Sequence, residues 1–492
     1  MRFPFGLIAA VVTGLLSLSG CAAAGDGMSR FREPAYAALE PVAVTVTRDG
    51  SRWTAAFDLD RDAPVWAFRE SALLKESRQP WRPQQWTVET PGVVMERHGF
   101  YDVLRAVDGG PVPRQVRISL RPESGDLEGA YNPALIFSDG SVALASGQFD
   151  LMPYAGIAEV TALPQDLNGL ALPGAPSRVT WIDRAGPVLF NGRRQQAPTA
   201  EDARTYVLFG TARLVDSERL AMVADPALPS WIGGEIEAFA PRLTDYYTAR
   251  LGPGQTEKPT VMVSWSGTRD GMTSMGGSVL PGLIVLSFEG GGVLTRSDKV
   301  LTAARWFMGH ETAHFWLGQA VRYEYAREAW ITEGGADLMA IRALAAVDPT
   351  YDPRDQLQGE VDDCITLGGD GSLANAGSRG EHRAYYACGA VFALAAEAAQ
   401  RRQNGGGWFD FLRPLLDANR TDGVLTRAEW LAALTRVSRD PSLALDIGRM
   451  LDQGTRDPAA VIARLFERTG VAHRRDGSRI VLEFNGTQTG RG

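Results

Sequence analysis

The sequence predicts a multidomain α+β protein with β structure first and helices last, and three observations carry that reading. At 492 residues the chain is longer than one hydrophobic core usually serves. From Val42 to about residue 222, apolar residues alternate with polar ones in short runs separated by turn signals, the period-2 signature of half-buried strands. From about residue 328 onward the apolar spacing is that of helices. The composition, 45% hydrophobic with twelve Trp and nineteen Phe, is that of a chain able to fill cores.

The first 21 residues are set apart. Arg2 precedes an apolar run from Phe3 to Leu18 that ends in Leu18-Ser19-Gly20-Cys21, which reads as a secretion signal too short for a membrane span. That ending resembles the bacterial lipoprotein lipobox, in which the Cys becomes the lipidated first residue. The resemblance implies a membrane lipid anchor at Cys21 and a place in the cell envelope. Ala22 after the Cys implies the outer membrane, facing the periplasm. An ordinary cleaved signal with a chance Cys is the alternative. Residues 22–40, small, polar and turn-rich, read as a tether.

Residues 41–222 read as an N-terminal β domain. Val42, Val44 and Val46, then Asp49-Gly50, then Trp53, Ala55 and Phe57 predict a tight hairpin. A second Asp-Gly at 139–140 joins two more apolar runs, and Val116–Leu120, Arg178–Ile182 and Tyr206–Phe209 fit strands. Residues 223–347 are mixed: a helix-like stretch from 231 to 251, a strand from 259 to 265, and a second strand from 282 to 288, taken as a sheet edge. A helix from 297 to 320 follows, capped by Ser297 or Asp298. In residues 348–492, helical patterns cover 381–403, 408–417, 427–437, 441–453 and 457–469; another covers 328–347 before them. Thr426-Arg427-Ala428-Glu429 supplies a capping box, and a short strand closes the chain at 479–484. Asp417 to Gly423 suggests a calcium loop, but its glycine falls one place late and no Glu occupies the twelfth position.

Net charge is -8 and the Lys and Arg residues are scattered, which argues against nucleic acid as a partner. Besides Cys21 the chain has only Cys364 and Cys388. An exported chain could pair them in a disulfide closing a 364–380 loop. Two buried thiols are the alternative.

His310-Glu311-Thr312-Ala313-His314 is an H-E-x-x-H sequence inside a segment that independently reads as helix. Residues four apart share a helix face, so both imidazoles can reach one metal ion, with Glu311 beside them to take a proton from water. A catalytic zinc wants a third protein ligand. After eighteen intervening residues past His314, Glu333 offers one within Trp330-Ile331-Thr332-Glu333-Gly334-Gly335-Ala336-Asp337.

The H-E-x-x-H-x18-E spacing and the W-x-x-E-G-x-A sequence resemble the gluzincin metallopeptidases of the aminopeptidase N type, a group that includes leukotriene hydrolase-like enzymes. The resemblance is specific from about 259 to 395. It implies one Zn2+ per chain, a thermolysin-like α/β catalytic subdomain over 223–347, and an active site between that subdomain and the helical one. Asp337, one turn beyond Glu333, takes the place of the carboxylate that holds the far nitrogen of a zinc histidine. Tyr385-Tyr386-Ala387-Cys388-Gly389-Ala390 looks like the family's Y-x-K-G-A segment, with Tyr386 as the oxyanion donor and Cys388 in place of the lysine. Gly276-Gly277-Ser278-Val279 matches the family's G-x-M-E-N segment. It implies substrate binding at Gly276 and Gly277, but Val279 replaces the glutamate that binds a free α-amine. Glu289 and Glu235 are the candidates for a relocated anchor, and the Gly-rich 289–292 segment for a mobile flap.

The expected function is therefore zinc-assisted hydrolysis of peptide bonds, with peptides as substrate partners. Two alternatives remain open: an envelope lipoprotein that binds peptides through a structural zinc site without cutting them, and a hydrolase of a non-peptide substrate such as an epoxide or ester. Substrate preference, exo or endo cleavage and oligomeric state are not legible.

Overall fold

The computed structural model describes residues 40–484 apart from 129, 169, 202–203, 257, 269–273 and 370. The segment read as a signal, Cys21 and nearly all of the tether lie outside the described residues. Among the described residues no helix is long and apolar enough to cross a membrane. By internal contacts the chain falls into two units: residues up to Leu228 with Lys258–Gly291, and Pro229–Glu257 with Gly292 onward.

Among the described residues the first unit is built from four sheets. The expected hairpin pairs Ala43–Asp49 with Arg52–Asp58, and Gly50 turns it at φ +59°, where a side chain would be strained. This hairpin is the centre of a six-stranded sheet. Val44, Val46, Trp53 and Phe57 point inward from it into an aromatic-rich core with Phe68, Trp86, Phe149, Trp181 and Phe209, whose rings meet mostly edge-to-face. The last sheet runs in the order Leu214–Asp216, Ala221–Ala224, Thr260–Trp265, Leu283–Glu289, Ser274–Leu280.

That order corrects one expectation. The 282–288 segment is not an edge: Leu283–Glu289 pairs in parallel with Thr260–Trp265 and antiparallel with Ser274–Leu280, which is the edge strand. Leu283-Ile284-Val285-Leu286 is apolar on both faces and fully buried, as an interior strand must be, whereas Ser274, Met275 and Gly276 are only half-buried.

The second unit is a helical assembly: α1 (Ser230–Leu251), α2 (Asp298–Ala313), α3 (Trp330–Val347), α4 (Arg354–Leu367), α5 (Arg383–Asn404), α6 (Trp408–Asn419), α7 (Arg427–Ser438), α8 (Pro441–Asp452) and α9 (Pro458–Thr469). The Ser297 cap is present, its hydroxyl accepting from the Val300 N–H at 3.3 Å, and so is the Thr426/Glu429 capping box. Two helical readings change. The helix expected to run from 297 to 320 stops at Ala313, and His314 caps it while keeping helical backbone angles. Helix α4, Arg354–Leu367, was not expected, because Arg-Asp-Gln-Leu-Gln-Gly-Glu-Val-Asp-Asp is too polar to show an apolar stripe. The closing strand Arg479–Leu482 pairs with His473–Asp476.

Cys364 and Cys388 are disulfide-bonded, and Cys364 lies within α4 rather than in a loop, so the bond ties α4 to α5. Helix α3 is buried nearly all round, with Gly309 of α2 against Ala340 on one side and α5 on the other. Where α3 and α5 cross, Gly334 faces Gly389. A Cβ on Gly334 would run into the backbone of Gly389 and Ala390, and one on Gly389 into the Trp330 carbonyl. The motif glycines therefore set how closely two helices approach, and Trp330 packs the same crossing against Phe392 and Trp430.

Gly389→Ala tests the crossing. Alanine is better than glycine in a helix by about 1 kcal/mol, but backbone cannot rotate out of the way as a side chain can. The steric term should win and lower stability by about 1–3 kcal/mol or more in chemical denaturation. A stabilised variant would show that the helices do not meet there.

Candidate metal centre

All the side chains of the H-E-x-x-H-x18-E pattern lie in the second unit. The end of α2 supplies His310 and Glu311, its cap supplies His314, and the first turns of α3 supply Glu333 and Asp337. All five are buried.

Hydrogen bonding at the far nitrogens decides where the lone pairs point. His314 Nδ1 is 2.8 Å from the Leu317 carbonyl, which can only accept, so Nδ1 must carry the proton. His310 Nδ1 is 2.7 Å from Asp337 Oδ1, where it likewise donates to the carboxylate. The two Nε2 atoms then face each other at 3.0 Å, and Glu333 Oε2 lies 3.5 Å from His310 Nε2 and 3.4 Å from His314 Nε2.

With His310 deprotonated, two imidazole lone pairs and a carboxylate are directed at one point that a cation would fill. A tetrahedral site with bonds of about 2.0–2.1 Å has donor–donor edges of about 3.3–3.4 Å. The edges of 3.0, 3.4 and 3.5 Å are consistent with a zinc ion. Among the described residues this is the group of His, Cys, Asp and Glu placed to hold a metal. Zinc sits well with two imidazoles and one carboxylate, which leaves a coordination position open for chemistry.

The charges follow from the same contacts. Burial alone would lower the His310 pKa, but Asp337 and Glu333 outweigh it and raise it to about 9. Burial also opposes ionisation of Glu333, yet His314 and His310 hold its pKa down to about 2. Burial pushes Glu311 up to about 7, in the range useful to a general base. Both Glu311 oxygens are buried and accept no hydrogen bond among the described residues.

The two adjacent tyrosines separate in role. Tyr385 donates its hydroxyl to the Ala374 carbonyl at 3.0 Å and accepts from the Gly377 N–H at 3.1 Å, pinning the segment before α5. Tyr386 is buried with its ring 5.7 Å from that of His310. Sequence reasoning missed two neighbours of the centre. Trp306, one turn before His310, lies with its ring 5.8 Å away, and Arg383, the first residue of α5, reaches Asp337 Oδ2 at 3.3 Å. The spacing of Trp306 from His310 was a usable signal; Arg383 gave none.

Other candidates lie elsewhere. Gly276, Gly277 and Val279 are on the edge strand of the first unit, with Val279 fully buried and its carbonyl accepting from the Tyr131 hydroxyl at 3.2 Å. Glu289 ends the neighbouring strand. Glu235 on α1 is engaged by Arg305 at 2.7 Å and Arg296 at 3.5 Å. The 289–292 segment leads into a short 3-10 turn, Gly291–Val293, whose Val293 carbonyl accepts the Trp231 indole N–H at 2.9 Å. His98 contacts Glu96, His382 precedes α5 with its ring against Tyr385, and His473 lies in the C-terminal hairpin.

No family model and no curated protein matches the chain by sequence. Among solved structures it is similar to an aminopeptidase N family protein from Idiomarina loihiensis, at 12% identity and a TM-score of 0.55, with 86% of this chain and 78% of that one covered. It is also similar to native yeast LTA4 hydrolase, at 10% identity and a TM-score of 0.51, covering 85% of this chain and 68% of that one. At such identities the likeness is one of fold: the chain has the multidomain α+β architecture of these proteins.

Because Asp337 and Glu333 raise the His310 pKa to about 9, a zinc ion binding there at neutral pH would displace a proton. Binding should release about one proton per metal at pH 7, and apparent affinity should fall as pH drops. Calorimetric titration in buffers of different ionisation heat measures this; a binding heat independent of buffer would contradict it.

Proposed function

We propose that the chain is a zinc-dependent peptidase. The observation that carries this reading is the convergence of His310 Nε2, His314 Nε2 and Glu333 Oε2 at tetrahedral spacing, with the buried Glu311 carboxylate next to His310 in the chain. His310, His314 and Glu333 would hold the ion, and zinc there supplies Lewis acidity and acidifies water toward neutral pH.

The chain's own residues do the rest. Glu311, uncommitted to other donors and pushed up by burial, takes the proton of the attacking water and delivers it to the leaving amine. Asp337 holds His310 in the tautomer that presents Nε2. The Tyr386 phenol donates to the oxyanion that forms as water adds to the scissile carbonyl. Gly276, half-buried on an edge strand, and its buried neighbour Gly277 suit main-chain pairing with an extended peptide. Location at the envelope through a lipid on Cys21 rests on the Leu-Ser-Gly-Cys ending alone.

Glu311→Gln should retain stoichiometric zinc and lose about 10²- to 10⁴-fold in peptide hydrolysis, whereas Glu333→Gln should weaken zinc itself. Tyr386→Phe should keep zinc and lower kcat more than it alters KM, since the oxyanion exists only near the transition state. If zinc-loaded wild type cuts no peptide of a diverse library while Glu311→Gln binds peptides equally well, the chain is a peptide-binding protein instead.

Val279 is buried and Glu235 is ion-paired, so neither anchors a substrate amine. N-acetylated peptides should therefore be cleaved at rates comparable to free ones. A hundredfold preference for the free amine, about 2.7 kcal/mol of discrimination, would point to Glu289 as a relocated anchor.

A further inference from the structure

We propose that Arg383 is a positioning residue of the metal centre: clamped by Glu360 and Asp363 of α4, it fixes the Asp337 carboxylate that orients His310. The inference rests on the zinc reading above.

Asp337 is fully buried and divides its oxygens. Oδ1 accepts from His310 Nδ1 at 2.7 Å, and Oδ2 from Arg383 Nη1 at 3.3 Å. A carboxylate held at one oxygen can still rotate about its Cβ–Cγ bond; held at both, its plane is set, and with it the direction of the His310 lone pair.

Arg383 is itself immobilised. Its Nη2 donates to Glu360 Oε2 at 2.7 Å and its Nε to Asp363 Oδ2 at 2.9 Å. A guanidinium is planar and rigid, so fixing two edges fixes the third. Glu360 and Asp363 lie one turn apart on α4, and the adjoining residue, Cys364, is bonded to Cys388 of α5. The disulfide therefore holds α4, and the clamp it carries, against the helix on which Arg383 sits. Three carboxylates around one guanidinium also leave a negative excess behind His310, which favours a cation at its Nε2.

The bland account is that Arg383 only fastens α4 to α5. The two accounts differ in zinc affinity, because fastening affects the stability of the fold and leaves the metal untouched. Zinc affinity of the full chain, read by chelator competition, separates them without reference to hydrolysis. Arg383→Gln should weaken zinc about 10- to 100-fold, the usual effect of removing a partner behind a metal ligand. Arg383→Lys, which keeps the charge but not the fork, should recover only part of that loss. Asp337→Asn with Arg383→Gln should bind zinc no more weakly than Asp337→Asn alone, since Arg383 acts through Asp337. The His310 Nδ1 proton resonance of the zinc-loaded protein should shift in Arg383→Gln.

If Arg383→Gln does not fold, Glu360→Gln with Asp363→Asn releases the clamp and must weaken zinc in the same direction. Zinc affinity within twofold of wild type in a folded clamp variant, or losses that add in the double variant, would overturn the inference. A wild type that takes up no zinc would overturn the metal reading and this one with it.

Discussion

The second unit depends on a place where no side chain can stand. Helices α3 and α5 cross at Gly334 and Gly389 with backbone against backbone. That approach brings the turn carrying Glu333 and Asp337 beside the turn carrying Arg383 and Tyr386, which the sequence separates by about fifty residues. It also leaves little freedom to adjust, because close-packed interiors transmit a small displacement rather than absorb it. The Arg342–Glu397 ion pair, 2.8 Å between Nε and Oε1, joins the same two helices further along. Breaking one partner of such a buried pair is costly even where the pair as a whole adds little stability.

Around this crossing the chain has buried charges that a folded protein normally keeps at its surface. Each is answered by a defined contact: His314 by the Leu317 carbonyl, His310 by Asp337, Asp337 by Arg383, and Arg383 by Glu360 and Asp363. Glu311 is the exception, buried with both oxygens unengaged among the described residues. A carboxylate kept so is expensive, and this one neighbours the two imidazoles and Glu333 of the candidate metal site. The network also explains why the two tyrosines cannot exchange roles. The Tyr385 hydroxyl is consumed by backbone, while the Tyr386 ring lies over His310.

The first unit works by a simpler rule. Alternating apolar residues of the Ala43–Asp49 and Arg52–Asp58 hairpin fill an aromatic core, and a tight Asp-Gly turn fixes their register. Its last sheet ends in a strand with two adjacent glycines, Gly276 and Gly277, at the edge. Neither carries a side chain over its backbone, but only Gly276 is half-buried while Gly277 is buried.

The α+β order, the hairpins and the candidate metal ligands were legible in the sequence because each rests on local spacing: period two for strands, a capping serine for α2, and a spacing of four between two histidines for a shared face. Helix α4 was not legible, since its polar composition hides a face that is buried only through contact with α5. The sequence places 282–288 at a sheet edge and shows no strand at Ser274–Leu280, which takes that edge, because strand order depends on pairing partners far along the chain. The end of α2 at Ala313 escaped too, since the pattern beyond it stays apolar for reasons of burial rather than helicity. By itself, then, the sequence determined which residues can bind a metal and on what kind of element each sits. The family resemblance had already pointed to Asp337 and Tyr386; only the tertiary structure decided that Arg383 answers Asp337 and that Arg342 answers Glu397. Those pairings come from a helix crossing set by two glycines, and contact between distant segments leaves no periodic trace in the chain.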